Sequence, residues 1–388
     1  MPPVVCHVPD QEDTSRMSIR AANALTARWA STLEAEGTVL SGAGVYPLLA
    51  LLARYAAGPA REELLAVAPD PIRYDLDGSP TTRMALGFWS LRGLSLSERW
   101  SAEVPAAMRG ELTGDEKVDQ AVLDEWAATE TDGQITEMPV RAGAGTALVL
   151  ASALSVLTKW QEPFHSAWCQ PTDGPWRGRR LAGLSRSSYD LAALRVADTS
   201  AGPLSLLTVV GTEDVDVVLA LGTADRGAAD VLPAAIGALD GTTTLAVTAG
   251  PGVTEQFVTA TDPTPELWVS TVGFTVAARH DLLRRAALFG LRAATDPAGD
   301  HFPDITRRLF VSQAAQGATA AFSATGFSAA VVTAFAMRVG SAPRPATERK
   351  RVIGLTIDRP FGFLAVHRPT GLLLVAGWVT DPDEAGAA

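Results

Sequence analysis

Cysteine is nearly absent: Cys6 and Cys169 are the only two in 388 residues, and neither lies in a CxxC pair. A disulfide framework, a zinc ribbon and a dithiol redox motif are thereby excluded. Long apolar runs are missing as well. The longest uncharged apolar stretches, 145–157 and 328–337, fall short of the ~18–20 residues that a bilayer span requires, so no transmembrane helix and no membrane partner are expected. Lysine supplies three of the 32 basic residues, Lys117, Lys159 and Lys350; with the many alanines, this arginine bias reads as GC-rich coding rather than as function. Positive charge is in deficit. The net charge of −11 lacks the clustered Lys/Arg excess that phosphate neutralisation needs, so nucleic acid is not an expected partner. The first residues, MPPVVCHVPDQEDTSR, carry no basic n-region and no apolar h-region. No secretory signal is read there, and a cytoplasmic protein is expected.

Catalytic constellations are also scarce. His7, His165, His280, His301 and His367 are far apart in sequence, with no HExxH and no cysteine pair to join them, so no metal site is expected. The glycine-rich pieces at 41–47 and 142–146 lack the Lys-Ser/Thr ending of a phosphate loop and the GxGxxG spacing of a dinucleotide turn. No GxSxG elbow marks a nucleophile. Neither a cofactor nor an enzyme activity is expected.

What is present is a folded chain, 47% hydrophobic and 19% charged. At ~150 residues per domain the length alone allows two to three domains. Helical spacing of Ala22, Leu25, Trp29 and Leu33 predicts a helix over 19–34, followed by helices at 47–57 and 61–68 around a Gly58-Pro59 break. Short apolar runs at 147–154, 204–210, 215–221 and 243–247 predict strands. A further helix is predicted over 281–291, with Asp281 as its cap, and strands at 352–357, 361–366 and 372–378. Helices first and strands after argue for an α+β fold rather than alternating βαβ units.

One segment does not read as a surface loop. From Leu309 to Thr347 the chain has no lysine and no acid, and from Phe327 strand alternation puts Phe327, Ala329, Val331, Thr333, Phe335 and Met337 on one face. A buried strand or core helix explains such a run equally well. Its flank, with Arg338, Gly340, Ser341, Pro343, Arg344 and Pro345, reads as exposed and open to a protease.

Four blocks, in order, resemble the serpin family. In SGAGVYPLLALLARYAAGPAREELL, Ser41 and Gly58 keep the family pattern, while Gly42 and Ala60 replace its Pro and Thr. In LDEWAATETDGQITEM, Trp126, Thr131, Gly133 and Ile135 are retained. TALVLASALSVLTKWQEPF keeps Lys159, Trp160, Pro163 and Phe164. RPFGFLAVHRPTGLLLVAGWVTDP keeps Pro360, Phe361, Phe363, His367, Pro369, Thr370, Gly377 and Pro382. The resemblance covers nearly the whole chain and implies a single α+β domain, 1–388, of a bacterial member. A large central antiparallel or mixed sheet, smaller sheets and surrounding helices are implied. So are an exposed reactive loop at about 326–350 and C-terminal strands within 351–382.

The resemblance further implies a monomeric suicide-substrate inhibitor of a serine protease, whose cleaved loop enters the central sheet as a strand. A non-inhibitory binding or carrier protein is the alternative, and the family is often secreted. The implied hinge runs through Gly326, Phe327, Ser328, Ala329, Ala330, Val331 and Val332. The family spacing of fourteen residues from the hinge glycine puts the reactive bond at Gly340-Ser341, with Arg338 as the alternative suited to a trypsin-like enzyme; Val339 and Met337 suit apolar pockets, and the stretch from Gly340 to Pro360 is longer than usual. The shutter, where the sheet strands part, maps to Ser41, Ser152 and Gln316. Two departures weigh against inhibition. Phe327 stands where Thr or Ser is usual, and its bulk is expected to slow insertion; Ala324 and Thr325 replace the acids that anchor the loop base.

Overall fold

The computed structural model describes residues 11–386 apart from 70–73, 75, 77, 144 and 329–347. Six α-helices are described: α1 (Gln11–Ala30), α2 (Gly42–Tyr55), α3 (Gly58–Val67), α4 (Glu98–Glu103), α5 (Glu116–Glu130) and α6 (Ala228–Leu239). The strands of the first half are β1 (Thr38–Leu40), β2 (Thr82–Leu91), β3 (Arg109–Leu112), β4 (Leu148–Val156), β5 (Thr158–Lys159), β6 (His165–Cys169), β7 (Leu181–Ser188), β8 (Leu194–Thr199) and β9 (Gly202–Val209). Those of the second are β10 (Val215–Leu221), β11 (Val253–Ala260), β12 (Glu266–Val272), β13 (Phe274–Asp281), β14 (Ala315–Phe322), β15 (Gly326–Ser328), β16 (Glu348–Thr356), β17 (Phe361–His367) and β18 (Leu372–Val379).

Local chemistry starts and stops these elements. Ser41 caps α2 by accepting from Gly44 N–H at 3.0 Å, and Asp115 caps α5 by accepting from Lys117 and Val118, each satisfying amides that the first turn leaves unpaired. Pro59 lies in the first turn of α3, where its missing N–H costs nothing. Two expectations from the sequence are corrected here. The helix expected over 281–291 is only a short 3₁₀ turn, 282–285. Asp281 does cap it, but Gly290 turns left-handed (φ +67°) where a Cβ would lie 2.5 Å from the Glu63 carbonyl oxygen, so the apolar period of this stretch serves a turn that buries Phe289 and Leu291. The strand expected at 243–247 is reduced to a single bridge, Ala197 to Thr244.

Four ladders make up the sheets. A six-stranded antiparallel sheet runs β1-β18-β17-β10-β9-β8, and a five-stranded one runs β11-β16-β12-β7-β6. The remaining two, β3-β2-β4 and β13-β14-β15-β5, are halves of one larger sheet, because β5 continues β4 after Leu157 alone. The six-stranded sheet and α2 pack beneath it. Trp29, Tyr46, Phe274, Phe322, Phe361 and Phe363, all 1% exposed or less, meet in this shared core, while α5 covers the outer face of β2 and β4 through Leu123, Ala127, Trp89 and Val149. Among the described residues no helix is long and apolar enough to cross a membrane.

Candidate functional site

The two half-sheets join at one end only. There β15, three residues long, pairs antiparallel with β14 (Ala321 opposite Ser328, Phe322 opposite Phe327) and with β5 (Gly326 opposite Lys159, Phe327 opposite Thr158). Among the described residues, β4 below this bridge has only β2 as a ladder partner and β14 has only β13. Two strand edges thus face each other across a slot that encloses a cavity of about 180 Å³. Leu148, Leu150 and Leu154 line one wall, Ala314 and Ala318 the other, and Phe327 the upper end. Open edges bordering an apolar slot are a template for an added strand.

Ser41, Ser152 and Gln316 converge on the floor of this slot. Gln316 accepts from Ser41 N–H and donates to the Ser41 carbonyl, both at 2.8 Å. Ser41 Oγ donates to the Leu374 carbonyl at 2.5 Å, and Ser152 Oγ donates to the Gly44 carbonyl. The start of α2 therefore ties β4, β14 and β18 together through neutral hydrogen bonds. Gly42 permits this approach: a Cβ there would lie 2.2 Å from Thr26 Oγ1 on α1.

His280, not singled out from the sequence for this site, stands directly opposite Gln316 on β13. Its Nε2 lies 3.0 Å from the Val39 carbonyl and 3.1 Å from Thr38 Oγ1, and its ring meets Trp29 edge-on at 4.9 Å. Burial holds its pKa below the ordinary value, Arg285 adds to the effect, and the bond to Val39 opposes it. Because the folded pKa is depressed, the stabilising contribution of neutral His280 is fully present above about pH 6.5, its unfolded value, and is lost as pH falls through the folded pKa. Melting temperatures are expected to fall as pH drops below about 6.5, before the usual carboxylate range is reached. In His280→Gln that step should disappear; an unchanged pH profile would remove His280 from this role.

The first hinge residues, Gly326 and Phe327, are already seated in the sheet. Gly326 lies against β5 so closely that a Cβ would meet the Thr158 carbonyl at 2.4 Å. Gly326→Ala is therefore expected to displace β15 and to cost about 1–3 kcal/mol, as overpacking does, measurable as a lowered denaturant midpoint and faster proteolysis near Thr325. Phe327 is 2% exposed, with its ring 5.9 Å from that of Phe363. The expectation that its bulk would slow entry is thus corrected for this residue, since the sheet already holds it. Phe363 leans on Gly377, where a Cβ would lie 2.3 Å from its ring, and this missing methyl leaves space in the layer below β15.

The acids missing before Gly326 are replaced by backbone pairing. Trp160 N–H donates to the Thr325 carbonyl at 3.0 Å and Phe164 N–H to the Ala324 carbonyl at 2.8 Å. Trp160 Nε1–H reaches the Ser323 carbonyl at 2.9 Å, and Ser323 Oγ donates to the Gly326 carbonyl at 3.1 Å. Ser323 and this use of Trp160 were not legible beforehand. Of the remaining site residues, Ser328 ends β15, while Ala329, Ala330, Val331, Val332, Arg338, Gly340 and Ser341 lie outside the described residues. No cluster of metal-ligating side chains occurs among the described residues.

Known proteins share this architecture. The structure of native protease nexin-1 with heparin superposes with a TM-score of 0.69 at 15% identity, over 96% of this chain and 100% of that one. The native thermophilic serpin tengpin superposes at 0.72 with 12% identity, over 98% and 97%. The fold is that of the serpins. In sequence, glia-derived nexin of Rattus norvegicus is 34% identical over 111 residues, which span 28% of this chain and 26% of that protein. No family model matches the chain.

Proposed function

We propose that this chain is a serpin that inhibits serine proteases as a suicide substrate. The observation that supports it is a match between the slot and the segment that follows β15. Continuing the β14–β15 and β5–β15 registers one residue at a time on insertion would put Val331 between Leu154 and Ala318, Phe335 between Leu150 and Ala314, and Met337 between Leu148 and Ser312. Thr333, the one hydroxyl on that face, falls between Ser152 and Gln316, the polar pair of the floor. Val331 and Phe335 would thus meet apolar walls on both sides and Met337 on one, while the lone polar side chain would meet hydrogen-bonding partners, as burial of a hydroxyl requires.

The chemistry of trapping belongs to the protease. Its serine Oγ attacks the carbonyl of Gly340, or of Arg338 where the pocket is acidic. The peptide bond breaks, the new amine leaves with the segment leading to β16, and residues up to the cleavage point stay esterified to the enzyme. Insertion of 329–337 then carries the esterified protease to the lower end of the slot before water can release it. Incubation with a panel of trypsin-, chymotrypsin- and elastase-like enzymes is expected to give a covalent complex that survives denaturing electrophoresis. Clean cleavage by every enzyme with no complex would reject the inhibitor and leave a binding protein of the same fold.

A further inference from the structure

We propose that β11 clamps the C-terminal stem of the loop, so that the slot can be filled completely only after the chain is cut. The inference rests on the insertion reading above and adds a condition to it. An open slot beside an insertable segment poses a problem for the intact protein, because the same strand addition could proceed without a protease. The geometry points to what prevents it.

The other end of the loop enters β16, and β16 is an interior strand. It pairs with β11 over eight positions, from Val253 opposite Leu355 to Ala260 opposite Glu348, and with β12 in parallel over five, from Glu266 opposite Val352 to Ser270 opposite Thr356. Side-chain contacts concentrate in its first residues. Lys350 pairs with Glu266 at 2.6 Å, the side chains being 10% and 15% exposed. Arg351 pairs with Glu255 at 2.6 Å, and the Arg349 guanidinium lies 3.9 Å over the Phe257 ring. Two of these three contacts are made to β11. Without β11, β16 would be an edge strand, free to peel from one side.

Chain length makes the stem decisive. With Met337 opposite Leu148, residues 338–347 remain to reconnect the lower end of the slot to Glu348. These ten residues span eleven Cα–Cα steps from 337 to 348, ~36–40 Å when fully extended. The run back along the inserted strand, eleven steps from 326 to 337, already uses ~36 Å of this at about 3.3 Å per residue. Glu348 lies farther still: β12 runs parallel to β16 and leads into β13 through Gly273 alone, so β16 begins at the end of its sheet remote from β13. Complete insertion of an uncut chain must therefore draw residues out of β16, beginning at Arg349, Lys350 and Arg351. Cleavage removes that demand, because residues 341–347 then stay with β16.

Val258→Pro tests the clamp by interrupting the β11–β16 ladder in an exposed strand, where proline removes a donor and little else. The double variant Glu255→Ala/Arg351→Ala, which deletes only one ion pair, keeps the test available should Val258→Pro fail to fold. The uncut proteins would be held a few degrees below their melting point and sampled for loop cleavage by trypsin. The wild type is expected to stay cleavable, and the variants to pass at least tenfold faster into a monomeric, cleavage-resistant and more heat-stable form. Conversion of a folded variant at the wild-type rate, or rapid conversion of the wild type, would overturn the clamp. Hydrogen exchange at 348–356 separates the two readings. If cleaved wild type gains no heat stability, the insertion reading fails; if amide protection of 348–356 is the same in the variants, the clamp fails.

Discussion

A single cut between Arg338 and Ser341 is expected to raise the melting temperature of the protein by on the order of 10 °C, the reverse of what nicking does to an ordinary domain. Val331, Phe335 and Met337 would be buried at ~1.5–3 kcal/mol each. Phe327 adds nothing to this gain, because it is already 2% exposed against Phe363. Closing the facing edges of β4 and β14 contributes ~1 kcal/mol net per ladder bond, opposed by ~1 kcal/mol or more for each of the newly ordered residues. About 5–10 kcal/mol remains, and an unfolding entropy of ~2.1 cal/mol/K per residue converts this into ~6–12 °C for a chain of this length. Calorimetry before and after limited proteolysis, with the cut mapped by mass spectrometry, reads both the gain and the reactive bond. A cut protein that melts at or below the intact one would show that the slot does not take the strand.

Val331→Arg should turn the inhibitor into a plain substrate. The continued register sets residue 331 between Leu154 and Ala318, which pack against the core, with no acid on either wall at that level. An unpaired charge buried there costs several kcal/mol, and each 1.4 kcal/mol is tenfold in rate, so insertion is expected to slow by at least ~100-fold while cleavage itself is unaffected. The covalent complex with a protease that the wild type traps should vanish, with the cut protein and free enzyme as products. Val331→Leu, apolar and inward-facing, should keep trapping. Equal complex yields from Val331→Arg and wild type would mean that residue 331 does not enter the slot.

Much of this site can be read from residue order, though unevenly. Ser41 and Ser152 are recognisable only as members of ordered sequence blocks, and Gln316 only by its place ahead of the loop; nothing local marks them, and the carbonyls of Gly44 and Leu374 that complete the cluster are invisible without the fold. Phe327 looks like an obstacle from the sequence because side-chain volume is legible there and empty space is not. The space over Phe363 depends on Gly377, fifty residues away. His280 reads as an isolated histidine, since its place opposite Gln316 is a matter of strand register. β11 escapes sequence reading for another reason. An edge strand exposed at nearly every position, VTEQFVTA, has no buried face and hence no alternation of apolar and polar residues.

The amino-acid sequence by itself determined the fold class, the capping role of Asp281, the lack of metal- and thiol-based chemistry motifs, and a segment free of lysine and acid with one apolar face. These depend on local spacing and residue type, which the chain carries in its order. Only the tertiary structure decided that, among the described residues, β4 and β14 leave their facing edges open below β15, that Gly326 and Phe327 are seated between β5 and β14, and that β16 is held from both sides. Strand partners are chosen across more than a hundred residues by which edges the packed core leaves free, and no local pattern records that choice.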